Sequence, residues 1–150
     1  MKVVFNADDF GTHPAISHGI IKAMREGVVR STTIMANLVT DAELSELKVM
    51  PNVSAGLHAN LTKGKPLTQF PRRWLDDDSN FSSKLVFSPE GGPALPYEAV
   101  HEELEAQLQR LLDAGLKVSH IDSHHHVHGF AIVLAVVEDL AAQYGLAVRP

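Results

Sequence analysis

The sequence predicts an α/β protein built on a parallel sheet, because short β-branched runs alternate with helical patterns along most of the chain. Five predicted strands and four predicted helices follow one another in the order β-α-β-α-β-loop-α-β-α-β. Strands that are joined through helices are normally parallel and connected by right-handed crossovers. A length of 150 residues, of which 45% are apolar, suits one globular domain.

In the first half of the chain, each predicted strand ends at polar residues. Residues 3–5 (Val-Val-Phe) predict a buried strand that leads to two carboxylates, Asp8 and Asp9. A helix follows, with Thr12 or His13 as its N-terminal cap. The remaining elements of this half are a strand at residues 32–36, a helix at residues 41–49 and a strand at residues 53–57 that ends at His58.

The second half begins with a long segment that lacks periodicity. Residues 63–96 hold five of the eight prolines, and a loop of this length is usually functional or mobile. The clearest helix of the chain follows, since its leucines form one apolar stripe. The predicted elements are a helix at residues 97–114, a strand at residues 118–121 that leads to Asp122, Ser123 and His124, a helix at residues 132–144 and a strand that begins at residues 146–148.

Composition excludes several classes of function. The formal net charge is −5, which argues against a basic surface for nucleic acid or anionic lipid. The absence of cysteine excludes disulfides, Fe–S clusters, Cys-ligated zinc and a cysteine nucleophile. The longest apolar run has eight residues, whereas a membrane span needs about 18. The N-terminal apolar run is too short for a secretory signal, so we expect a cytoplasmic protein.

Possible metal ligands follow three of the predicted strands. Asp8 and Asp9 follow the first strand, His58 the third and His124 the fourth. Taken singly, each has an ordinary structural explanation as a turn carboxylate, a packed histidine or a solvated loop. Because the carboxyl ends of parallel strands meet at one edge of the sheet, the group together predicts a metal site there.

The histidine-rich run that contains His124 allows two geometries. Five of the nine histidines lie between positions 120 and 128. An extended segment would place His124, His126 and His128 on one face, whereas a helix would place only His124 and His128 together. His124 lies on the active face in both cases. His125 is expected to take no part.

Three segments resemble the motifs of the YdjC-like carbohydrate deacetylases, and among these the bacterial chitooligosaccharide (chitin disaccharide) deacetylases. The segments are Asn6-Ala7-Asp8-Asp9-Phe10-Gly11; Gly56-Leu57-His58-Ala59-Asn60-Leu61-Thr62 with Gly64-Lys65-Pro66-Leu67; and His120-Ile121-Asp122-Ser123-His124-His125-His126-Val127-His128. The run Ser31-Thr32-Thr33 also fits the family. The motifs occur in the family's order and cover essentially the whole chain.

The resemblance implies a TIM-like, irregular (β/α) barrel that removes N-acetyl groups from acetylated amino-sugar oligosaccharides. By position, it makes Asp9, His58 and His124 the ligands of a divalent metal ion and Asp8 the catalytic base. The family expectation is Mg²⁺, although two imidazoles suit Zn²⁺ or another transition metal better. Neighbouring strand residues point to opposite sides, so Asp8 and Asp9 can serve one site only if the chain curves before Gly11.

The chain is shorter than a complete barrel of this kind. A complete (β/α)₈ barrel takes about 250 residues, so we expect residues 1–150 to be one catalytic domain that covers about the N-terminal half. A fragment is favoured over a half-barrel that a second chain, such as another copy in a homo-oligomer, would complete. The alternative functions are another barrel metal hydrolase, such as a phosphoesterase, or a non-catalytic module that binds metal or sugar.

The single tryptophan allows two interpretations. Trp74 lies in the Pro- and Gly-rich segment outside any periodic element. Its ring could serve as a platform for a sugar near the site, or it could pin the segment to the core. No other substrate-binding residue follows from the sequence.

Overall fold

In the described part of the chain, five parallel strands form one sheet, and their order in space is their order along the chain. The computed structural model describes residues 3–149, except for the side chain of Leu85. Each strand pairs in parallel with the next, which confirms the predicted α/β fold with a parallel sheet. The strands are β1 (Asn6–Phe10), β2 (Ser31–Ile34), β3 (Ser54–Ala59), β4 (Val118–Ser123) and β5 (Ala147–Val148).

The helices begin and end at residues suited to those positions. The imidazole of His13 accepts a hydrogen bond from the Ala15 amide at the start of the first helix, and Thr40 and Glu43 form a reciprocal capping box at the second. The last helix ends at Gly145, whose φ of 68° favours glycine. The helices are α1 (Pro14–Glu26), α2 (Asp41–Lys48), α3 (Ser83–Val86), α4 (Tyr97–Asp113) and α5 (Ala131–Tyr144). Only α3, a single turn inside the predicted loop, was not expected.

The two faces of the sheet have different surroundings. On one face, α1 packs against β1, α4 against β3, and α5 against β4 and β5, and the α4 residues Leu104, Leu108 and Leu111 are fully buried. The other face lines a cavity of about 710 Å³ that includes Asp8, His120, Asp122 and Arg149. Within residues 3–149, no helix is long and apolar enough to cross a membrane.

The first strand lies later in the chain than its apolar residues predict. Val3, Val4 and Phe5 are 61%, 71% and 56% exposed, so the prediction of a buried strand at residues 3–5 is wrong. The ladder with β2 begins at Asn6, and Phe10, which is fully buried, anchors the strand in the core. The main-chain pairing of β1 therefore includes the polar residues of the Asn6–Phe10 run rather than the apolar ones before it.

The segment at residues 63–96 is held to the core by its aromatic and aliphatic side chains. Trp74 is 3% exposed, its indole N–H donates to the Gly91 carbonyl at 3.4 Å, and the Arg73 guanidinium lies 3.9 Å above its ring. The packing interpretation of Trp74 is therefore confirmed, and the idea of a sugar platform at this residue is wrong. The other buried anchors of the segment are Phe70, Phe81, Val86 and Leu95.

Candidate metal centre

Three of the predicted site residues meet at the carboxyl edge of the sheet. Asp9 lies near the end of β1, His58 lies in β3 and His124 follows β4 directly. Oδ1 of Asp9 lies 2.9 Å from Nδ1 of His124 and 3.3 Å from Nε2 of His58. One ligand atom from each residue falls within 4.8 Å of the others, and both imidazoles are buried.

An irregularity in β1 turns Asp9 toward this cluster. The pairing of β1 with β2 shifts in register between Ala7 and Phe10, and Asp9 has a φ of 70°, a conformation that is uncommon for residues other than glycine. Gly11 follows with a φ of 92°, and a Cβ there would lie 2.5 Å from the side chain of Val39. The chain therefore curves where the two neighbouring carboxylates require it.

The orientation of His58 is set by a residue that the sequence did not single out. Oδ1 of Asp122 lies 2.6 Å from Nδ1 of His58, and both side chains are buried. The hydroxyl of Thr33 donates to Oδ2 of Asp122 at 3.1 Å. A carboxylate on Nδ1 favours the tautomer in which Nε2 is free of a proton and can bind a metal. Asp122 immediately precedes Ser123 at a strand end that already carries His124, which was the signal available in the sequence.

His124 is held by an unusual backbone rather than by a regular element. Residues His124–Gly129 form a 3₁₀ segment in which His125 and His126 have φ values of 54° and 55°. Neither the extended nor the regular helical geometry predicted for this run is correct. The ring of His125 stacks on that of His124 at 3.9 Å, so His125 contacts the cluster rather than standing apart from it. Burial, together with the neighbouring His125, lowers the pKa of His124 to about 4.

Asp8 lies beside the cluster but outside the three-residue group. Its Oδ1 accepts a hydrogen bond from the Asn6 side-chain amide at 2.6 Å, and its Oδ2 lies 3.2 Å from Nη1 of Arg149. The same Nη1 lies 3.6 Å from Oδ2 of Asp122, which orients His58. Asp8 is 39% exposed and faces the cavity on the open side of the sheet. Its predicted role as catalytic base stays a prediction.

The donor atoms suit a divalent cation. Oδ1 of Asp9 is buried and has no hydrogen bond of regular geometry within residues 3–149, although two imidazole nitrogens lie within 3.3 Å of it. A buried carboxylate oxygen without a partner is costly unless a cation or another donor compensates it. Asp9, His58 and His124 could therefore hold the metal, through one carboxylate and two imidazoles that leave other coordination positions open.

Polar residues that follow β3 form hydrogen bonds next to the cluster. The side-chain carbonyl of Asn60 accepts hydrogen bonds from the Thr62 and Lys63 amides, and Gln107 of α4 bonds both backbone groups of Asn60. Asn60 and Gln107 are fully buried. The Thr62 hydroxyl lies 3.1 Å from Nδ1 of His125, the ring that stacks on His124. These polar residues therefore fix the backbone that follows His58 and contact His125, which stacks on the candidate ligand His124.

The protein is therefore an α/β protein with a candidate divalent-metal centre. One carboxylate and two imidazoles form this centre at the carboxyl ends of the strands of a parallel sheet. Within that class, the chain belongs to the YdjC-like family. It matches the family described as "YdjC-like protein" over residues 2–150. The resemblance seen in the sequence is therefore confirmed.

Curated relatives share a name and are longer than this chain. A "Carbohydrate deacetylase" of Listeria monocytogenes serotype 4a (strain HCC23) is 37% identical over 150 residues, which cover 99% of this chain and 60% of the relative. Proteins of the same name from Vibrio campbellii and Brevibacillus brevis are 39% and 40% identical over 150 and 153 residues, each covering 99% of this chain and 59% of the relative. The chain thus spans about 60% of the length of these relatives.

A solved structure shares the fold. A proposed cellobiose-phosphate cleavage protein from Enterococcus faecalis V583 superposes with a TM-score of 0.83 at 34% sequence identity. The match covers 98% of this chain and 57% of that one. The strands and helices of this chain are therefore arranged as in the matching part of that solved structure.

Proposed function

We propose that this chain is the site-bearing part of a metal-dependent hydrolase that removes N-acetyl groups from acetylated amino-sugar oligosaccharides such as chitooligosaccharides. The observation that carries the proposal is the buried Oδ1 of Asp9, which faces nitrogens of His58 and His124 and has no hydrogen bond of regular geometry in the described part of the chain. The shared name of the relatives, carbohydrate deacetylase, supports the reaction and the substrate class.

The proposal includes a TIM-like barrel of which these strands are a part. Sheets in such barrels are parallel and wound in one direction, and the order β1-β2-β3-β4-β5 is consistent with this. Barrel enzymes bind substrate at the carboxyl ends of the strands, which is where the cluster lies. The relatives are longer than this chain, and we assign the remaining strands of the barrel to the part of their length that this chain does not cover.

Asp9, His58 and His124 would hold the divalent ion. When bound, such an ion polarises the amide carbonyl and lowers the pKa of water, which makes amide hydrolysis feasible at neutral pH. Mg²⁺ is the family expectation, but the two imidazoles favour Zn²⁺ or a related transition metal. Asp122 holds the metal-binding face of His58 toward Asp9 through its contact with Nδ1.

Asp8 is the residue of this chain that we assign to proton transfer. Its carboxylate is partly open to the cavity and is held in place by Asn6 and Arg149, so it can accept a proton from the attacking water. The water oxygen adds to the acetyl carbon and the C–N bond breaks. The departing nitrogen takes up the proton that Asp8 accepted from the water, so that a free amino sugar and acetic acid, which ionises to acetate, result.

The test is acetate release by the natural protein that carries this sequence, stripped of metal and then reloaded with Mg²⁺, Zn²⁺ or Co²⁺. We expect metal-dependent acetate release from the acetylated chitin disaccharide and a loss of about 10²–10⁴-fold in kcat for Asp8→Asn, with metal binding retained. Asp78→Asn, at an exposed position, is the matched control. Full activity of Asp8→Asn would remove Asp8 from the mechanism.

The name of the structural neighbour supports a second candidate function, the cleavage of a phosphorylated disaccharide. The structural neighbour is named for cellobiose-phosphate cleavage, so the same assay should also measure phosphate and new reducing ends. Release of either product without acetate would replace the deacetylase proposal. Metal binding with none of the three products would support a binding module.

A further inference from the structure

Phe87 differs from the other aromatic residues of the 63–96 segment. Phe70, Trp74 and Phe81 are 6%, 3% and 3% exposed and anchor the segment to the core. Phe87 is 47% exposed. The ring of Phe87 therefore keeps a surface that a ligand can contact, unlike the three buried rings of the segment.

The position of Phe87 is nevertheless fixed. Its amide donates to the carbonyl of Ser83 at 2.9 Å, and the preceding residue, Val86, is fully buried. Its ring lies 5.8 Å from that of Phe130. Phe130 in turn fits against Gly92, where a Cβ would come within 2.2 Å of the Phe130 ring. The exposed ring is therefore presented by packed neighbours rather than by a loose loop.

A row of rings connects Phe87 with the candidate metal ligands. The ring of Phe87 lies 6.1 Å from that of His125, at an interplanar angle of 62°. His125 stacks on His124 at 3.9 Å, and His124 meets His58 edge-on at 5.4 Å. In this row, the His125 ring lies between Phe87 and the candidate ligand His124.

This placement matches the shape of an oligosaccharide. A pyranose ring has a face of C–H groups that packs on aromatic rings, and ligand sites combine such apolar walls with a few polar groups. The sugar whose acetamide reaches Asp9, His58 and His124 must itself lie over these residues. Phe87 is separated from His124 by the His125 ring, so it lies where the adjoining sugar would pass.

We propose that Phe87 binds the sugar residue next to the one that is deacetylated, and so favours oligosaccharides over a single acetylated sugar. This inference rests on the proposed deacetylase function. It assigns Phe87 to substrate binding and not to chemistry, since its ring has no group that could transfer a proton. His125 forms the wall between the two sugar positions.

The experiment compares Phe87→Ala, Phe87→Leu and Phe87→Tyr in the metal-loaded natural protein, with acetylated chitin disaccharide and N-acetylglucosamine as substrates. For Phe87→Ala we expect the KM for the disaccharide to rise about tenfold, equivalent to about 1.4 kcal/mol, with kcat and the constants for the monosaccharide unchanged. Phe87→Tyr keeps the ring and should resemble the wild type. Phe87→Leu should lie between. Val49→Ala, at an apolar position that is 78% exposed, is the control.

A binding measurement separates this proposal from the function on which it rests. In the Asp8→Asn background, calorimetry should show the disaccharide binding about tenfold more weakly once Phe87→Ala is added. If the wild type releases acetate but Phe87→Ala binds and reacts normally, only the Phe87 proposal fails. Equal losses for both substrates would also overturn it, because the ring would then contact the reacting sugar. If the wild type neither releases acetate nor binds the disaccharide, both proposals fail.

Discussion

Removing the carboxylate of Asp122 should weaken metal binding although Asp122 is not a proposed ligand. Oδ1 of Asp122 lies 2.6 Å from Nδ1 of His58, and both side chains are buried. In Asp122→Ala, no carboxylate holds the proton on Nδ1. His58 then loses both its fixed tautomer and the added basicity that an anionic partner gives to Nε2.

The expected loss is about 10- to 100-fold in metal affinity, or about 1.4 to 2.7 kcal/mol, as for other groups that orient a metal-binding imidazole. Asp122→Asn should lose less, because an amide oxygen can still accept from Nδ1. The assay is calorimetric titration of the metal-free protein with Zn²⁺ or Co²⁺. Glu26→Ala is the control: Glu26 is exposed at the far end of α1, a helix about 20 Å long that starts near the site.

Circular dichroism and thermal unfolding should show that each variant is folded before its affinity is interpreted. Wild-type affinity in a folded Asp122→Ala protein would refute the reasoning, because His58 would then need no carboxylate to present Nε2. A loss of equal size in Glu26→Ala would show that the effect is not local to the site.

Three further predictions follow from other parts of the structure. His58→Ala and His124→Ala should each abolish the tight binding of one divalent ion, as measured by calorimetry. The control, His18→Ala on the exposed surface of α1, should leave this binding unchanged. Unchanged binding in both site variants would mean that the metal site lies elsewhere. Trp74→Ala should lower the free energy of unfolding by about 3–5 kcal/mol in urea titrations, because it removes a buried anchor, and the wild-type tryptophan fluorescence should not respond to an acetylated disaccharide. Glu103→Gln should lower the free energy of unfolding by about 1–3 kcal/mol in the same titrations. The reason is that the Glu103 carboxylate is fully buried and accepts four hydrogen bonds. Stability equal to that of the wild type would show that these hydrogen bonds contribute little.

The sequence alone predicted the order of the five strands and of helices α1, α2, α4 and α5, and it supplied the candidate residues of the metal centre. Helical periodicity predicted α4 from its apolar stripe, whereas α5 was predicted from a run that is apolar on most sides and ends at Gly145, and both are local features. The strand ends placed Asp8 and Asp9, His58 and His124 at one edge, because parallel strands all carry their carboxyl ends to the same side. The choice of Asp9 rather than Asp8 as the ligand came from the resemblance to the YdjC-like motifs.

Tertiary structure decided which of the remaining residues contact the centre and which do not. The irregular pairing that turns Asp9 inward and the contact of Asp122 with His58 each depend on a neighbouring strand, and the backbone at His125 is left-handed. Trp74 and Phe87 lie in the same aperiodic segment, yet one is buried and the other is half exposed. Composition and local propensity treat two such aromatic residues alike. Their separate roles are set by long-range packing, which brings together residues that are far apart along the chain.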